Sequence, residues 1–224
     1  MKLETIDLLR HVIIAFMCYV PTVTISGWFE AFMAKKMGDT IPEKYGFLTL
    51  DPFVHFNPWG FCMMFVRISG FGFAAFGNLV PLAPEVLSKR YRNLRAAGEF
   101  FARPLIHFFM MFFAFLSMIL IYKAIFNGID YEIFIMQYPI SSLHAAICML
   151  ILFFFQQNFF LFIISFFVAL YRYIIFVFFP GFQIQSLTHS LIYIFSFAIV
   201  IIVLGVALQE ITQDFLFLAQ YFLL

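Results

Sequence analysis

Four side chains that can carry charge lie inside apolar stretches of this chain: Glu30, Arg67, His107 and Arg172. An ionised group at the centre of a bilayer is costly, so such a residue usually faces a protein interior and pairs with a partner. We therefore expect Glu30 to form an ion pair with Arg172 or with Arg67. A lone histidine such as His107 is more often a hydrogen-bonded structural residue than a ligand.

The same residues leave other chemistry open. Glu30 could instead lie close enough to Lys35 and Lys36 for its carboxylate to reach the membrane surface. The four ionisable residues could together form a polar path for transport. A metal site made of Glu30, His55 and His107 is a further alternative, although neither histidine is followed by a second ligand three or four residues later.

The composition indicates an integral membrane protein. Of the 224 residues, 64% are hydrophobic and 11% are charged, whereas about a quarter of the residues in a soluble domain are charged. The net charge of +1 gives no reason to expect a nucleic-acid partner. The three cysteines, Cys18, Cys62 and Cys148, have no CxxC spacing, so the sequence predicts neither a disulfide framework nor a thiolate zinc site.

Two neighbouring segments carry a specific pattern. The stretch from Ala31 to Asp39 reads AFMAKKMGD, and the stretch from Gly46 to Gly60 reads GFLTLDPFVHFNPWG. Together they resemble the intramembrane zinc metalloproteases of the site-2 protease family, whose short bacterial members carry HExxHAxxAxxxGD followed by GRLTLNPxxHxDPxG. The residues that carry the resemblance are Gly38, Asp39, Leu48, Thr49, Leu50, Pro52, His55, Pro58 and Gly60.

The resemblance also implies that the catalytic residues are replaced. Counting back from Gly38, the two zinc histidines fall on Ser26 and Glu30, and the general-base glutamate falls on Gly27. The aspartate that is the third zinc ligand falls on Tyr173. A zinc protease needs imidazoles to hold the metal and a carboxylate to take a proton from the metal-bound water. The sequence therefore predicts a protein that is not an enzyme and that has no metal and no cofactor.

Hydropathy predicts where the chain crosses the membrane. About 20 apolar residues span a hydrocarbon core of about 30 Å, and this threshold predicts helices over residues 12–34, 100–126 and 188–208. The stretch 143–179 predicts one long, bent span, with a pair of spans broken near Gln157 as the alternative. The tail 215–224 is too short to cross and is predicted to lie in the membrane interface.

The charges around residues 45–78 predict an unusual path for that segment. Basic residues precede and follow it, so both of its flanks prefer the cytoplasm, which a single crossing cannot provide. A re-entrant segment resolves this conflict, and the resemblance implies a membrane-associated β-hairpin in the same place. Residues 79–103 then form a basic cytoplasmic loop, and the amino terminus is external.

These observations predict an all-α integral membrane protein that forms a single domain, residues 1–224. We expect a site-2-protease-like core of about four to six transmembrane helices with a re-entrant segment. The expected function is that of a catalytically inactive subunit or scaffold of a larger membrane complex, with other integral membrane proteins and lipids as partners. The alternatives are a non-cleaving binder of transmembrane client helices, a transporter and an altered metalloenzyme. The expected location is a bacterial cytoplasmic membrane or an organelle inner membrane.

Overall fold

The computed structural model describes residues 3–66, 75–126 and 143–179. Arg67, the predicted helix 188–208 and the predicted interfacial tail 215–224 lie outside the described residues. The regular elements within the described ranges are all helices, which confirms the all-α prediction. In chain order they are α1 (Leu3–Met37), α2 (Ile41–Lys44), α3 (Pro52–His55), α4 (Pro58–Val66), a 3₁₀ helix (Pro84–Val86), α5 (Arg92–Phe100), α6 (Ala102–Phe126) and α7 (Leu143–Phe178).

Three of these helices contain a stretch that is long and apolar enough to cross a membrane. The stretches are Leu8–Met37 in α1, Ala102–Ile121 in α6 and Ala146–Phe178 in α7. The first two match the spans predicted over residues 12–34 and 100–126. Helix α7 is continuous through Gln157, so the structure has one long helix over this stretch and not two helices separated by a break.

The three long helices pack side by side with defined directions. The rings of His11 and Phe153 lie 6.0 Å apart, near the starts of α1 and α7, so these two helices run the same way. The rings of Phe108 and Phe162 lie 5.8 Å apart, and the ring of Phe100, which precedes α6, lies 6.1 Å from that of Phe176 near the end of α7. Helix α6 therefore runs in the opposite direction to the other two. The end of α1, the start of α6 and the end of α7 lie together at one end of the bundle.

The β-hairpin expected within residues 45–78 is not found in the described part of that range, which contains the short helices α3 and α4. Asp51 caps α3, because its carboxylate accepts a hydrogen bond from the backbone N–H of Phe53 at 3.0 Å. The side-chain oxygen of Asn57 accepts the N–H of Gly60 at 3.0 Å in the first turn of α4. Each helix begins with a proline, which suits a first helical turn and cannot donate to a strand ladder. Local sequence thus favours helical turns here.

Glycine ends α1 in a way that only a residue with a positive φ permits. Gly38 has a φ of +109°. The N–H of Gly38 lies 3.1 Å from the carbonyl oxygen of Lys35, and the N–H of Asp39 lies 2.9 Å from that of Ala34. This pair of bonds is the Schellman arrangement, which satisfies carbonyls at the end of a helix. The chain consequently turns sharply after α1 and presents Asp39 to the next segment.

The predicted basic loop 79–103 contains the structured helix α5. Arg95 donates a hydrogen bond to the carbonyl oxygen of Met37 at 3.3 Å and so ties α5 to the end of α1. The buried face of α5 packs in a hydrophobic cluster whose buried members are Leu87, Ala96, Phe100 and Ala169. Helix α5 therefore lies across the end of the bundle, in contact with α1 and α7.

Candidate functional site

Three of the four positions that the resemblance assigns to the zinc ligands and the general base, Ser26, Gly27 and Glu30, lie close together on α1. Ser26 and Glu30 are four residues apart, so their side chains share one face of the helix. Ser26 and Glu30 are both buried. The Ser26 hydroxyl donates to the carbonyl oxygen of Val23 at 3.3 Å, a bond within its own helix. We refer to Ser26, Gly27 and Glu30 as the replaced positions.

The imidazole of His55 covers Gly27. His55 is fully buried, and its Nε2 lies 2.8 Å from the carbonyl oxygen of Thr49. Because a carbonyl only accepts, Nε2 carries a proton and donates it to Thr49. A Cβ atom at position 27 would overlap this ring, with Cε1 at 2.9 Å and Cγ at 3.1 Å. Glycine is therefore the residue that lets α3 approach α1 here.

Glu30 pairs with Arg103 and not with Arg172. Arg67, the other expected partner, lies outside the described residues. The Arg103 Nε atom lies 2.6 Å from Glu30 Oε2, and the two side chains are 16% and 5% exposed. Arg103 also donates through Nη2 to the carbonyl oxygen of Asn78 at 3.0 Å. The physical reason is position: Arg103 lies in the first turn of α6, which starts at the end of the bundle where α1 finishes. Arg172 lies on α7 and is half-buried.

Side chains bond to the backbone of the chain on both sides of residues 67–74. We call residues 49–66 and 75–78 the braced segment. Five side chains lie within hydrogen-bond distance of six of its carbonyl oxygens: His55 at Thr49, Asn78 at Val54, Tyr19 at Asn57 and Phe76, Gln157 at Ala75, and Arg103 at Asn78. In a loop exposed to water, solvent would satisfy such carbonyls. Here protein side chains do so, as burial without water requires.

Glycines let the two halves of the braced segment lie against each other and against α1. A Cβ atom at Gly60 would overlap the backbone carbonyl of Phe76. A Cβ atom at Gly77 would come within 2.8 Å of the His55 carbonyl oxygen and of the Val23 side chain. The motif glycine at position 60 is therefore explained by backbone packing.

His107 takes part in a separate polar link between the three long helices. Its Nδ1 lies 2.9 Å from the side-chain oxygen of Asn158 on α7, so Nδ1 is the donor. The Asn158 amide nitrogen lies 3.4 Å from the hydroxyl of Thr22 on α1. All three residues are buried. This arrangement agrees with the expectation that His107 is a hydrogen-bonded structural residue.

The residues at the replaced positions do not fit the zinc that the resemblance implies for the family. The Ser26 hydroxyl bonds within its own helix, Gly27 has no side chain, and the Glu30 carboxylate is taken by Arg103. Tyr173 packs against Phe101 with ring centroids 6.3 Å apart. Within the described ranges, no group of three or more His, Cys, Asp or Glu side chains is placed to hold a metal ion.

Two buried carboxylates lie at the end of the bundle beside α5. Asp39 is fully buried, and its oxygens accept the N–H of Ile41 at 2.8 Å and that of Ala83 at 2.7 Å. This motif residue joins the end of α1 to the chain that leaves the braced segment. Glu99 is also fully buried, but neither of its oxygens has a hydrogen-bond partner.

The most important residue that the sequence prediction missed is Arg103. It lies inside the predicted span 100–126, and an arginine within an apolar stretch is a signal that the residue needs a partner, although it does not say which one. Asn78 and Gln157 were missed as well, because a neutral amide in a loop or helix carries no sequence signal of burial. The other motif residues differ in exposure: Leu50 and Pro58 are exposed, whereas Leu48, Thr49 and Pro52 are half-buried.

Comparisons with family models, with curated proteins and with solved structures find no match to this chain. The relationship to the site-2 protease family therefore stays a prediction based on the motif residues. What the geometry adds is independent of that relationship. His55 of the braced segment packs against Gly27, Arg103 pairs with Glu30, and the Ser26 hydroxyl bonds within its own helix.

Replacing Gly27 by alanine is expected to destabilise the protein by about 1–3 kcal/mol, because the added methyl group overlaps the His55 ring and must displace it from Thr49. This loss outweighs the gain of about 1 kcal/mol in helix propensity. The free energy of unfolding can be measured by denaturant titration of the purified protein in mild detergent, followed by circular dichroism.

Gly98 on α5 provides the matched control. A Cβ atom there meets the flexible end of Met37, with its Sδ and Cε at 2.9 Å. Gly98→Ala should therefore be neutral or stabilising, since the methionine can move aside. If the Gly27 and Gly98 variants behave alike, His55 does not determine the residue at position 27.

Proposed function

We propose that this chain is a catalytically inactive, site-2-protease-like membrane protein that serves as a structural subunit or scaffold of a membrane complex. The observation that carries the proposal is that other side chains of the protein contact two of the replaced positions, Gly27 and Glu30. His55 fills the space beside Gly27, and Arg103 neutralises Glu30. A hydrolytic metal site requires open coordination and room for a water molecule at this place. The contacts found there crosslink α1 to α3 and to α6 instead.

The membrane location rests on the three long apolar helices and on the braced segment. Non-helical backbone at membrane depth is tolerated only where protein satisfies its polar groups. The segment contacts α1 as far along as Tyr19, which precedes Met37 by 18 residues, or about 27 Å of helix. The chain that follows the segment returns to the end of α1, because the N–H of Ala83 donates to the Asp39 carboxylate at 2.7 Å. This path suits a re-entrant segment whose two flanks lie on one side of the membrane.

The surface on which partners would assemble includes aromatic side chains of the braced segment. Phe53 is 85% exposed and Trp59 is 74% exposed. Both lie on short helices whose other faces are fixed by Tyr19, His55 and Asn57. Large aromatic residues held in place are typical anchors of protein interfaces. In the proposed complex they contact transmembrane segments of partner proteins.

The test is purification of the tagged protein from its native membrane in mild detergent, with mass spectrometry for partners and metal analysis of the same sample. We expect membrane-protein partners in fixed stoichiometry. The double variant Phe53→Ala, Trp59→Ala should lose them. Leu120→Ala with Phe113→Ala, which also removes exposed apolar side chains but from α6, should retain them. Stoichiometric zinc in a sample without partners would overturn the proposal and indicate an altered metalloenzyme.

A further inference from the structure

The chain between the 3₁₀ helix and α5 presents basic and apolar side chains together. We call residues 86–94 the basic turn. Lys89 and Arg90 are exposed, and so are Val86, Tyr91 and Leu94, by 54%, 63% and 71%. Basic and large apolar side chains together are typical of protein surfaces that lie in a membrane interface.

The basic turn leads into α5, whose buried face packs against the bundle. Tyr91 adopts a left-handed backbone conformation with a φ of +59°, which costs about 1 kcal/mol for a residue with a side chain and persists only where the surroundings fix it. The Arg90 guanidinium lies 5.3 Å from the centre of the Tyr91 ring. On the opposite face of α5, Ala96 is fully buried and Arg92 lies 4.8 Å from the centre of the Phe176 ring. The exposed residues are thus presented at a fixed place.

That place is the end of the bundle. Helix α5 is bonded to Met37 at the end of α1 through Arg95, and it contacts Phe176 near the end of α7. It also leads into α6 after a single residue, Phe101. Each of the three candidate membrane spans therefore has one of its ends beside α5. If the spans cross a bilayer, the basic turn lies at the level of the lipid headgroups.

We propose that the basic turn is a binding site for anionic phospholipids of the surrounding bilayer. Lys89 and Arg90 bind the phosphate groups, Leu94 lies against the acyl chains, and Tyr91 lies between the two regions, as amphipathic aromatic residues do at a membrane interface. The exposed Glu85 offsets part of this charge, but four basic residues, Lys89, Arg90, Arg92 and Arg95, follow it within ten positions. This proposal rests on the proposed membrane location and is independent of the scaffold role.

The experiment places a tryptophan reporter at the centre of the exposed face. The variant Leu94→Trp, made in a background with Trp28→Phe and Trp59→Phe, is reconstituted into vesicles of equal parts phosphatidylcholine and phosphatidylglycerol. One of the two lipids is brominated in each preparation, because bromine quenches a nearby tryptophan. One basic residue near an anionic membrane surface strengthens the binding of a protein segment to that surface by about fivefold. We therefore expect clearly stronger quenching by brominated phosphatidylglycerol, and a loss of this preference in high salt.

Two variants connect the preference to the basic turn. Lys89→Gln with Arg90→Gln should make the two brominated lipids quench equally, while tryptophan emission stays in the range of a membrane interface. Lys44→Gln, which removes an exposed basic residue from α2, should leave the preference unchanged. Equal quenching by both lipids in the reporter variant that retains Lys89 and Arg90 would overturn the proposal.

The absence of quenching by either lipid would overturn the proposal too, since Leu94 would then face water or a protein surface. Strong but equal quenching of the Leu94 reporter would agree with the proposed membrane location. No quenching of a reporter on α6 would contradict that location. A reporter at Leu120, which is 67% exposed on α6, provides that comparison. Circular dichroism of each variant confirms that it is folded.

Discussion

Replacing Arg103 by leucine is expected to destabilise the protein by about 3–5 kcal/mol, because the change leaves the Glu30 carboxylate buried without a counter-ion. The carbonyl oxygen of Asn78 loses its bond to Arg103 in the same variant. Unfolding by denaturant in mild detergent measures this loss.

A double-mutant cycle isolates the ion pair. Glu30→Leu alone should also be strongly destabilising, because it leaves the Arg103 guanidinium unpaired. The combination Glu30→Leu, Arg103→Leu should lose far less than the sum of the single changes, as replacement of a whole buried pair by apolar residues is often nearly neutral. Additive losses would mean that the two residues do not act as a pair.

The exposed ion pair of Lys35 and Glu43 provides a control of the same bond length. Its Nζ to Oε1 distance is 2.6 Å, but the two side chains are 46% and 41% exposed. Lys35→Leu should cost less than about 1 kcal/mol, because water screens the exposed pair. An equally small loss for Arg103→Leu would show that Glu30 reaches water after all, as in the alternative in which its carboxylate extends to the membrane surface.

The long helices could be predicted from sequence, whereas the partner of Glu30 could not. A run of apolar residues reports a property that each residue carries by itself, so residues 12–34, 100–126 and 143–179 are readily assigned to α1, α6 and α7. An ion pair depends on which helix ends meet. Arg103 lies where the predicted basic loop 79–103 and the predicted span 100–126 overlap, and only the packing of α6 against α1 brings it to Glu30.

For the short helices α3 and α4, signals in the local sequence indicate the structure better than the family resemblance does. Asp51 before Pro52 and Asn57 before Pro58 are signals for the start of a helix, a capping residue followed by a proline in the first turn. The expected β-hairpin came from the family resemblance, and in the described residues the local signals decide the outcome. The burial of Glu99 had no such signal, because it depends on how α5 docks on the bundle.

Glu99 is an ionisable residue that is buried without a hydrogen bond to its carboxyl group. It is fully buried, and both of its carboxylate oxygens lack a hydrogen-bond partner. Burial raises the pKa of Glu99 to about 8, and the nearby carboxylates of Asp39, Glu85 and Glu30 act in the same direction. Arg95, one helical turn earlier, is directed to the carbonyl oxygen of Met37. Glu99 is therefore protonated in the folded protein at neutral pH.

The stability of the protein should consequently fall as the pH rises from about 4.5 to about 8. In this window the folded protein retains a proton on Glu99 that the unfolded chain has released, so raising the pH favours unfolding. The loss is complete above the folded pKa. A difference between 4.5 and about 8 corresponds to about 3–5 kcal/mol at most. Unfolding measured in detergent at a series of pH values from 4 to 9, each about one unit apart, would follow this decline.

Glu99→Gln should remove most of the decline, because the amide stays neutral at every pH. The variant should match the unmodified protein at pH values near 4 and exceed its stability by several kcal/mol near pH 9. Glu85→Gln changes an exposed carboxylate nearby and should alter the pH dependence little. If the Glu99 variant keeps the full decline, the carboxyl must acquire a partner or water on ionisation. The docking of α5 on the ends of α1 and α7 would then not depend on a proton held at Glu99.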